Sequence, residues 1–155
     1  MSPDTLSVRD SLNIKRDHFF VSYGMGSTAR KIVDGMREIA DVSSGVALDN
    51  VELEESKNIP TVVLRDPKDF GSEKLFDRVY CNYGEFPKGS RDVKRALTAC
   101  NALCVDKGMV LVTNLNEREN VFAWLMENHV TKYWILNESA KKFNVLYTKE
   151  SHGRA

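Results

Sequence analysis

The sequence predicts one α/β domain in which a mostly parallel sheet carries helices on both faces. Short apolar, β-branched segments alternate along the chain with segments whose apolar residues repeat at helical spacing. A glycine pair, Gly24 and Gly26, follows the first strand-like segment where a helix should begin. The length of 155 residues, with 42% hydrophobic and 28% charged residues, fits a single globular core.

The first half of the chain contains three strand-like segments and one clear helix. Residues 1–17 are polar with weakly spaced apolar residues, which predicts an arm or a short helix. Aromatic and β-branched residues predict a strand over 18–23, and apolar residues at helical spacing predict a helix over 32–40. Further strands are expected at 46–49 and at 59–64, the latter ended by an Asp-Pro pair.

The second half continues the alternation. A strand over 76–81 precedes a long helix that Ser90 can cap and that the Lys-Gly pair at 107–108 should end. The next apolar, β-branched segment predicts a strand over 109–113. Parallel strands joined by helices are expected to form a doubly covered sheet.

The chain closes with a helix and two strands. The third helix should begin at Asn114 or Asn116. Strands over 132–136 and 143–148 are separated by only about six residues, so they should pair as an antiparallel hairpin. The complete order predicts a Rossmann-like sheet of seven strands, mostly parallel, with this hairpin at its C-terminal end.

The charge balance limits the classes of partner. Lys plus Arg and Asp plus Glu are both 22, so a strongly cationic nucleic-acid binder is not expected. A local basic cluster of Lys88, Arg91, Lys94 and Arg95 lies at the start of the second long helix. This cluster is either a solvated helix face or a surface that contacts phosphates, which leaves a nucleic-acid partner open.

Two of the cysteines and both tryptophans are expected to be packing residues. Cys81, Cys100 and Cys104 show no paired spacing, which indicates a reducing compartment and hence a cytoplasmic or nuclear protein. Cys100 and Cys104 are four residues apart on an apolar helix face, as buried cysteines often are. Trp124 and Trp134 are also expected in the core. No zinc-binding pattern and no apolar run of roughly 20 residues is present, so neither a metal site nor a membrane span is predicted.

Three features carry a resemblance to a known family. The first is the glycine loop at 22–28, and the second is the segment 75–82, which has a Phe-Asp pair near its start. The third is the order of the last elements: a helix, the tripeptide Asp-Lys-Gly at 106–108, a strand, a helix and the terminal hairpin. Together they resemble the class I S-adenosylmethionine-dependent methyltransferases. The resemblance covers most of the chain and implies one methyltransferase-like domain over 18–150, between an N-terminal arm and a tail at 151–155.

The glycine turn is the first candidate for cofactor binding. Gly24, Met25 and Gly26 place a side-chain-free turn beside a helix N-terminus, where a ligand can lie against the backbone. The alternative is that these glycines only turn the chain. Ser22 stands where the family usually has an acid and is included in the candidate cofactor site. The string from Gly24 to Ala29 also matches the Gly-x-Gly-x-x-Ala pattern of dinucleotide binding.

Two acidic residues follow the next two strands. Asp49 ends the second strand, where a carboxylate can accept hydrogen bonds from both ribose hydroxyls of an adenosine ligand; Glu52 is the alternative. The resemblance implies that Asp66 contacts the adenine amino group, with Asp69 as the competing candidate. Either acid can instead be a solvated turn residue.

The end of the fourth strand supplies the candidate catalytic residues. Asn82 can hold the methyl acceptor or the amino-acid part of the cofactor, and Tyr83 can stack on a base. Glu85 can act as a general base provided that burial raises its pKa. The alternative is an exposed loop without a role in catalysis.

Three functions remain open from the sequence. The first is a methyltransferase that binds S-adenosylmethionine and acts on nucleic acid, protein or a small molecule. The second is a non-catalytic relative of this family that binds a protein partner and has no cofactor. The third is an NAD-type dinucleotide-binding domain, which the Gly-x-Gly-x-x-Ala string and Asp49 favour.

Overall fold

The computed structural model describes residues 3–24, 31–36, 44–49, 61–63, 76–86 and 91–150. The strands are β1 Phe19–Gly24, β2 Ser44–Asp49, β3 Thr61–Val63, β4 Phe76–Asn82, β5 Cys104–Leu115, β6 Tyr133–Leu136 and β7 Phe143–Thr148. The helices are α1 Pro3–Leu12, α2 at 31–36, α3 Val93–Leu103 and α4 Arg118–Glu127. A single 3₁₀ turn, Tyr83–Glu85, follows β4.

The strands form one sheet in the order β3-β2-β1-β4-β5-β7-β6. Every neighbouring pair from β3 to β5 is parallel, whereas β7 runs antiparallel to both β5 and β6. The predicted α/β architecture with a mostly parallel, Rossmann-like sheet is confirmed. The chain order of the strands reverses between β1 and β4, which makes the carboxyl ends of these two strands the expected binding crevice.

Helices cover both faces of the sheet, so its central strands are apolar on both sides. Val21 and Tyr23 of β1 face the core layer that contains α3 and α4. Phe20 of the same strand faces the layer that contains α1 and α2. Because side chains alternate along a strand, adjacent residues of β1 belong to two separate hydrophobic clusters.

The N-terminal segment is a helix that packs on the sheet. Of the two alternatives for residues 1–17, the helix is correct over Pro3–Leu12. Val8, Leu12 and Ile14 are buried against Phe20 and the other residues of that face. Burying side chains of this size contributes roughly 1.5–3 kcal/mol each.

The second long helix is shorter than predicted. It begins at Val93, after Asp92 rather than Ser90, and the Asp92 carboxylate accepts a hydrogen bond of 3.1 Å from the backbone N–H of Arg95. It ends at Leu103, because Cys104 is extended and pairs with Phe76 as the first residue of β5. The stop predicted at 107–108 therefore falls inside a strand.

The third helix and one tryptophan also differ from the predictions. β5 extends to Leu115, so α4 begins at Arg118 rather than at either asparagine. Trp124 is buried as predicted, and its Nε1 donates to Oγ1 of Thr98 over 3.0 Å. The prediction for Trp134 is wrong, since this side chain on edge strand β6 is 50% exposed. Among the helices that the structure describes, none combines the length and hydrophobicity that crossing a bilayer requires.

Candidate active site

The carboxyl edge of the parallel strands brings together three of the predicted site residues. Gly24 ends β1 and pairs in register with Asp49, which ends β2, while Asn82 ends the neighbouring strand β4. This is the edge at which the strand order reverses, and ligands of open α/β sheets bind there. Met25, Gly26 and Asp66 lie outside the described residues.

Gly24 is buried, and few atoms of the described residues lie close to the position where a side chain would start. A Cβ built at this position meets only one described atom within 4 Å, Cε1 of Phe86 at 3.8 Å, which is an ordinary van der Waals distance. The backbone of Gly24 does not adopt a positive φ. Neither the backbone conformation nor packing against the described residues therefore requires glycine here, whereas close approach of a ligand would.

Ser22 is buried in the sheet, before the end of β1. It is two residues before the end of β1, pairs with Ala47 and Tyr80 in register, and is 2% exposed. The structure thus places Gly24 rather than Ser22 at the sheet edge.

Asn82 organises the turn after β4. Its Oδ1 accepts a hydrogen bond of 3.1 Å from the backbone N–H of Gly84 and another of 2.8 Å from Nδ2 of Asn114. Gly84 permits this contact, because a Cβ there would lie 2.8 Å from Cβ of Asn114. The Asn82 oxygen is committed to the protein, and its Nδ2 is the atom that remains for a ligand.

Tyr83 and Glu85 do not take the positions that their predicted roles require. Tyr83 is 1% exposed, and its ring packs 5.5 Å from the ring of Phe86, so it does not offer a face for stacking. Glu85 is exposed, which removes the burial that the role of general base depended on. Arg91 holds this turn in place by donating from Nη2 to the Gly84 carbonyl and from Nε to the Phe86 carbonyl.

The predicted basic cluster is partly neutralised by internal contacts. Besides the two carbonyl bonds of Arg91, Nζ of Lys94 lies 3.3 Å from the carboxylate of Glu127. Arg95 is exposed, and Lys88 lies outside the described residues. Two of the three described cations are therefore occupied in holding the protein together.

A cavity of about 220 Å³ adjoins Asn82 on the face that α1 covers. Its walls come from α1, from the carboxyl ends of β4 and β5, and from the turn between β6 and β7. The lining residues are Ser7, Val8, Ser11, Tyr80, Asn82, Leu111, Thr113, Asn114, Asn137, Lys142, Phe143 and Asn144. Of these, the sequence predicted only Asn82 as a site residue, because isolated asparagines and serines carry no motif.

No protein-family model and no curated protein sequence matches the chain. Several solved structures, by contrast, are similar to its fold. An O-methyltransferase of Thermotoga maritima that depends on S-adenosylmethionine superposes with a TM-score of 0.69 at 11% identity, covering 100% of this chain and 68% of that one. The precorrin-6y C5,15-methyltransferase of Geobacter metallireducens gives 0.56 at 11% identity, covering 95% and 87%.

A third similar structure was solved with a ligand. The N-methyltransferase NodS of Bradyrhizobium japonicum, in complex with S-adenosyl-L-homocysteine, gives a TM-score of 0.57 at 10% identity, covering 96% of this chain and 86% of that one. The chain has the fold of the class I S-adenosylmethionine-dependent methyltransferases.

The cysteines of this methyltransferase fold are structural. Cys81, Cys100 and Cys104 are free and buried, and for Cys100 and Cys104 this confirms the prediction from sequence. Burial raises the pKa of Cys81 well above its ordinary value, and the neighbouring Cys100 adds to this. Burial likewise raises the pKa of Cys104 to about 12. A thiol needs its thiolate form to act as a nucleophile or a metal ligand, so these two are inert at neutral pH.

The described part of this fold also contains no metal-binding constellation. Within the ranges that the structure describes, no three His, Cys, Asp or Glu side chains converge. Apart from Lys142, the polar side chains that line the cavity at the carboxyl edge are amides and hydroxyls, which suit hydrogen bonding to an organic ligand.

Proposed function

We propose that the protein is a methyltransferase that binds S-adenosylmethionine at the carboxyl edge of its sheet and takes its acceptor into the cavity beside Asn82. The observation that carries this proposal is the pairing of Gly24 with Asp49 in register, next to the point where the strand order reverses. Similarity to methyltransferase structures supports it at the level of the fold.

The cofactor roles follow from the places of the residues along this edge. Asp49 ends β2 and accepts hydrogen bonds from the ribose hydroxyls. The backbone of the segment from Gly24 through Met25 to Gly26 is the proposed contact of the cofactor, because glycine has no side chain to keep a ligand away. Asp66, beyond β3, is the proposed partner of the adenine amino group. Among the described residues only Phe86 lies within 4 Å of a Cβ built at Gly24, so these residues leave room for close approach of a ligand.

The protein's contribution to the reaction is positioning. Bound S-adenosylmethionine supplies a methyl group on a positively charged sulfur, which reacts readily with a well-placed nucleophile. Among the described residues that line the cavity there is no carboxylate and no histidine, and Lys142 is the one ionisable side chain other than Tyr80. Orientation of the acceptor by amides and hydroxyls is then the main source of rate enhancement.

The cofactor preference can be tested by thermal shift with S-adenosylmethionine, S-adenosylhomocysteine and NAD. A ligand at 100 times its dissociation constant stabilises the folded state by about 2.7 kcal/mol. We expect both adenosyl compounds to raise the melting temperature and NAD to leave it unchanged. A shift with NAD alone would support the dinucleotide-binding alternative, and no shift with any ligand would support the non-catalytic one.

The ribose assignment is tested with two matched variants. Asp49→Asn removes the charge of the proposed ribose acceptor and should weaken S-adenosylhomocysteine binding by about tenfold or more, since hydrogen bonds to charged groups contribute about 1.5–3 kcal/mol. Asp106→Asn makes the same change at an exposed residue near the beginning of β5, at the opposite edge of the sheet, and should leave binding unchanged. Equal affinity in Asp49→Asn would overturn this assignment.

A further inference from the structure

Three asparagines of the cavity are oriented by a continuous set of hydrogen bonds. A backbone N–H can only donate, so the side-chain atom of Asn82 that receives the Gly84 N–H must be its oxygen. The atom of Asn114 that faces this oxygen must then be its NH₂ group. The backbone N–H of Asn114 in turn donates over 2.9 Å to Oδ1 of Asn144, which fixes the third amide. None of these assignments depends on an arbitrary amide flip.

The fixed orientations determine which atoms remain for a ligand. Asn82 and Asn144 each keep an NH₂ donor, and Asn114, which lies between them, keeps its carbonyl acceptor. The three residues end β4, lie near the end of β5 and begin β7, which are neighbours in the sheet. In the order of their strands, β4, β5 and β7, these lining residues therefore hold a donor, an acceptor and a donor that make no hydrogen bond to the described residues.

The rest of the cavity lining disfavours positively charged ligands. Lys142 is the only Lys, Arg, Asp or Glu among the described lining residues, and it is exposed. A cationic group would find no carboxylate to pair with it there. Val8, Leu111 and Phe143 supply apolar surface beside the amides, as flat ring ligands require. A volume of about 220 Å³ is below the roughly 300–1,000 Å³ of pockets for drug-sized ligands, so it fits one ring or one terminal group.

We propose that this cavity binds a neutral group whose edge presents acceptor, donor and acceptor atoms, as the imide edge of a uracil ring does. Each ligand atom then meets a complementary atom of the row formed by Asn82, Asn114 and Asn144. That the molecule carrying this group is the methyl acceptor, at an atom other than those of the imide edge, rests on the proposed function; that the cavity binds the imide edge does not.

The ligand side of this proposal is tested without any cofactor. Uridine, cytidine and 3-methyluridine are titrated separately into ¹⁵N-labelled protein, and the side-chain amide signals of the three asparagines are followed. Uridine should bind about tenfold or more tightly than either analogue, because cytidine presents a different edge and 3-methyluridine lacks the central N–H. Equal binding of uridine and 3-methyluridine, or no binding of uridine, would overturn the proposal.

The protein side is tested by exchanging single donors. Asn82→Asp and Asn144→Asp retain the oxygen that accepts the present hydrogen bonds and replace the ligand-facing NH₂ by a carboxylate oxygen. Each should weaken uridine binding by about tenfold or more. Asn120→Asp, at an exposed residue of α4 outside the cavity, is the matched control and should bind as the wild type does. Unchanged uridine affinity in both cavity variants would contradict the proposed contacts.

The two proposals fail separately. Binding of S-adenosylhomocysteine without binding of uridine would leave the methyltransferase proposal in place and remove the imide site. Binding of uridine without any adenosyl ligand would do the reverse. If an Asp variant does not fold, the comparison of uridine with 3-methyluridine still decides the question.

Discussion

Nε of Arg78 donates a hydrogen bond of 2.6 Å to the carbonyl oxygen of Leu12, joining β4 to the last residue of α1. The last carbonyls of a helix have no partner within the helix, so this bond satisfies one of them. The same guanidinium donates from Nη1 to the carbonyl of Asp77 over 2.9 Å. Because α1 forms one wall of the cavity, this hydrogen bond of Arg78 attaches that wall to the sheet.

Replacing Arg78 by methionine tests this coupling. Arg78→Met keeps an unbranched stem but removes both donors, and it should lower the free energy of unfolding by about 1–3 kcal/mol. Urea denaturation measures the change. The control Arg95→Met, on the exposed face of α3, should lie within about 0.5 kcal/mol of the wild type. An Arg78→Met variant as stable as this control would show that the bond contributes nothing.

His18 should make stability fall on mild acidification. Burial lowers its pKa from 6.5, and the positive charge of Arg78 acts in the same direction. Its Nδ1 accepts the backbone N–H of Lys15 over 2.9 Å, which requires the unprotonated nitrogen. The unfolded chain therefore binds the proton more readily, so the contribution of His18 is complete above pH 6.5 and is lost as the pH falls towards the lowered folded value.

The role of His18 is tested with an asparagine variant, and a second histidine provides the control. His18→Asn retains an acceptor at the position of Nδ1 but does not titrate, so its melting temperature should fall less than that of the wild type between about pH 7 and pH 5. His129→Asn, at an exposed position after α4, should follow the wild type. Parallel pH profiles for the wild type and His18→Asn would contradict this assignment.

The thiols of the native protein should not react with thiol reagents. Burial raises the pKa of Cys81 and raises that of Cys104 to about 12. All three cysteines are inaccessible to solvent. Ellman's reagent at about pH 8 should label no thiol rapidly in buffer and all three in guanidinium chloride. A thiol that reacts at once in the native state would show that the core around β4 and α3 opens readily.

Local patterns predicted the strands well and the helix ends poorly. The strand expected at 143–148 agrees with β7, because its side chains are almost continuously buried. The helix α3 ends at Leu103 although Cys104 continues its apolar spacing, because this residue is buried equally well when it is extended and paired with Phe76. Periodicity cannot distinguish these two ways of burying one side chain.

The candidate site was only partly accessible from sequence. Gly24 and Asp49 end strands, and strand ends follow from local sequence, so their place at one edge was predictable. Asn114 and Asn144 are 30 residues apart and meet only because β5 and β7 are neighbours in the sheet. Tyr83 was expected to face a ligand, but the direction of a side chain in a tight turn depends on packing against Phe86.

The most direct test of the cofactor proposal is calorimetric titration of S-adenosylhomocysteine into the wild type and Gly24→Ala. Among the described residues the added methyl group meets only Phe86, at an ordinary contact distance, so the variant should unfold at the same temperature or slightly higher. The account predicts one binding site in the wild type and an affinity lower by about tenfold or more in Gly24→Ala, because the methyl group occupies the space of the ligand. Equal affinities, or no binding to the wild type, would contradict it.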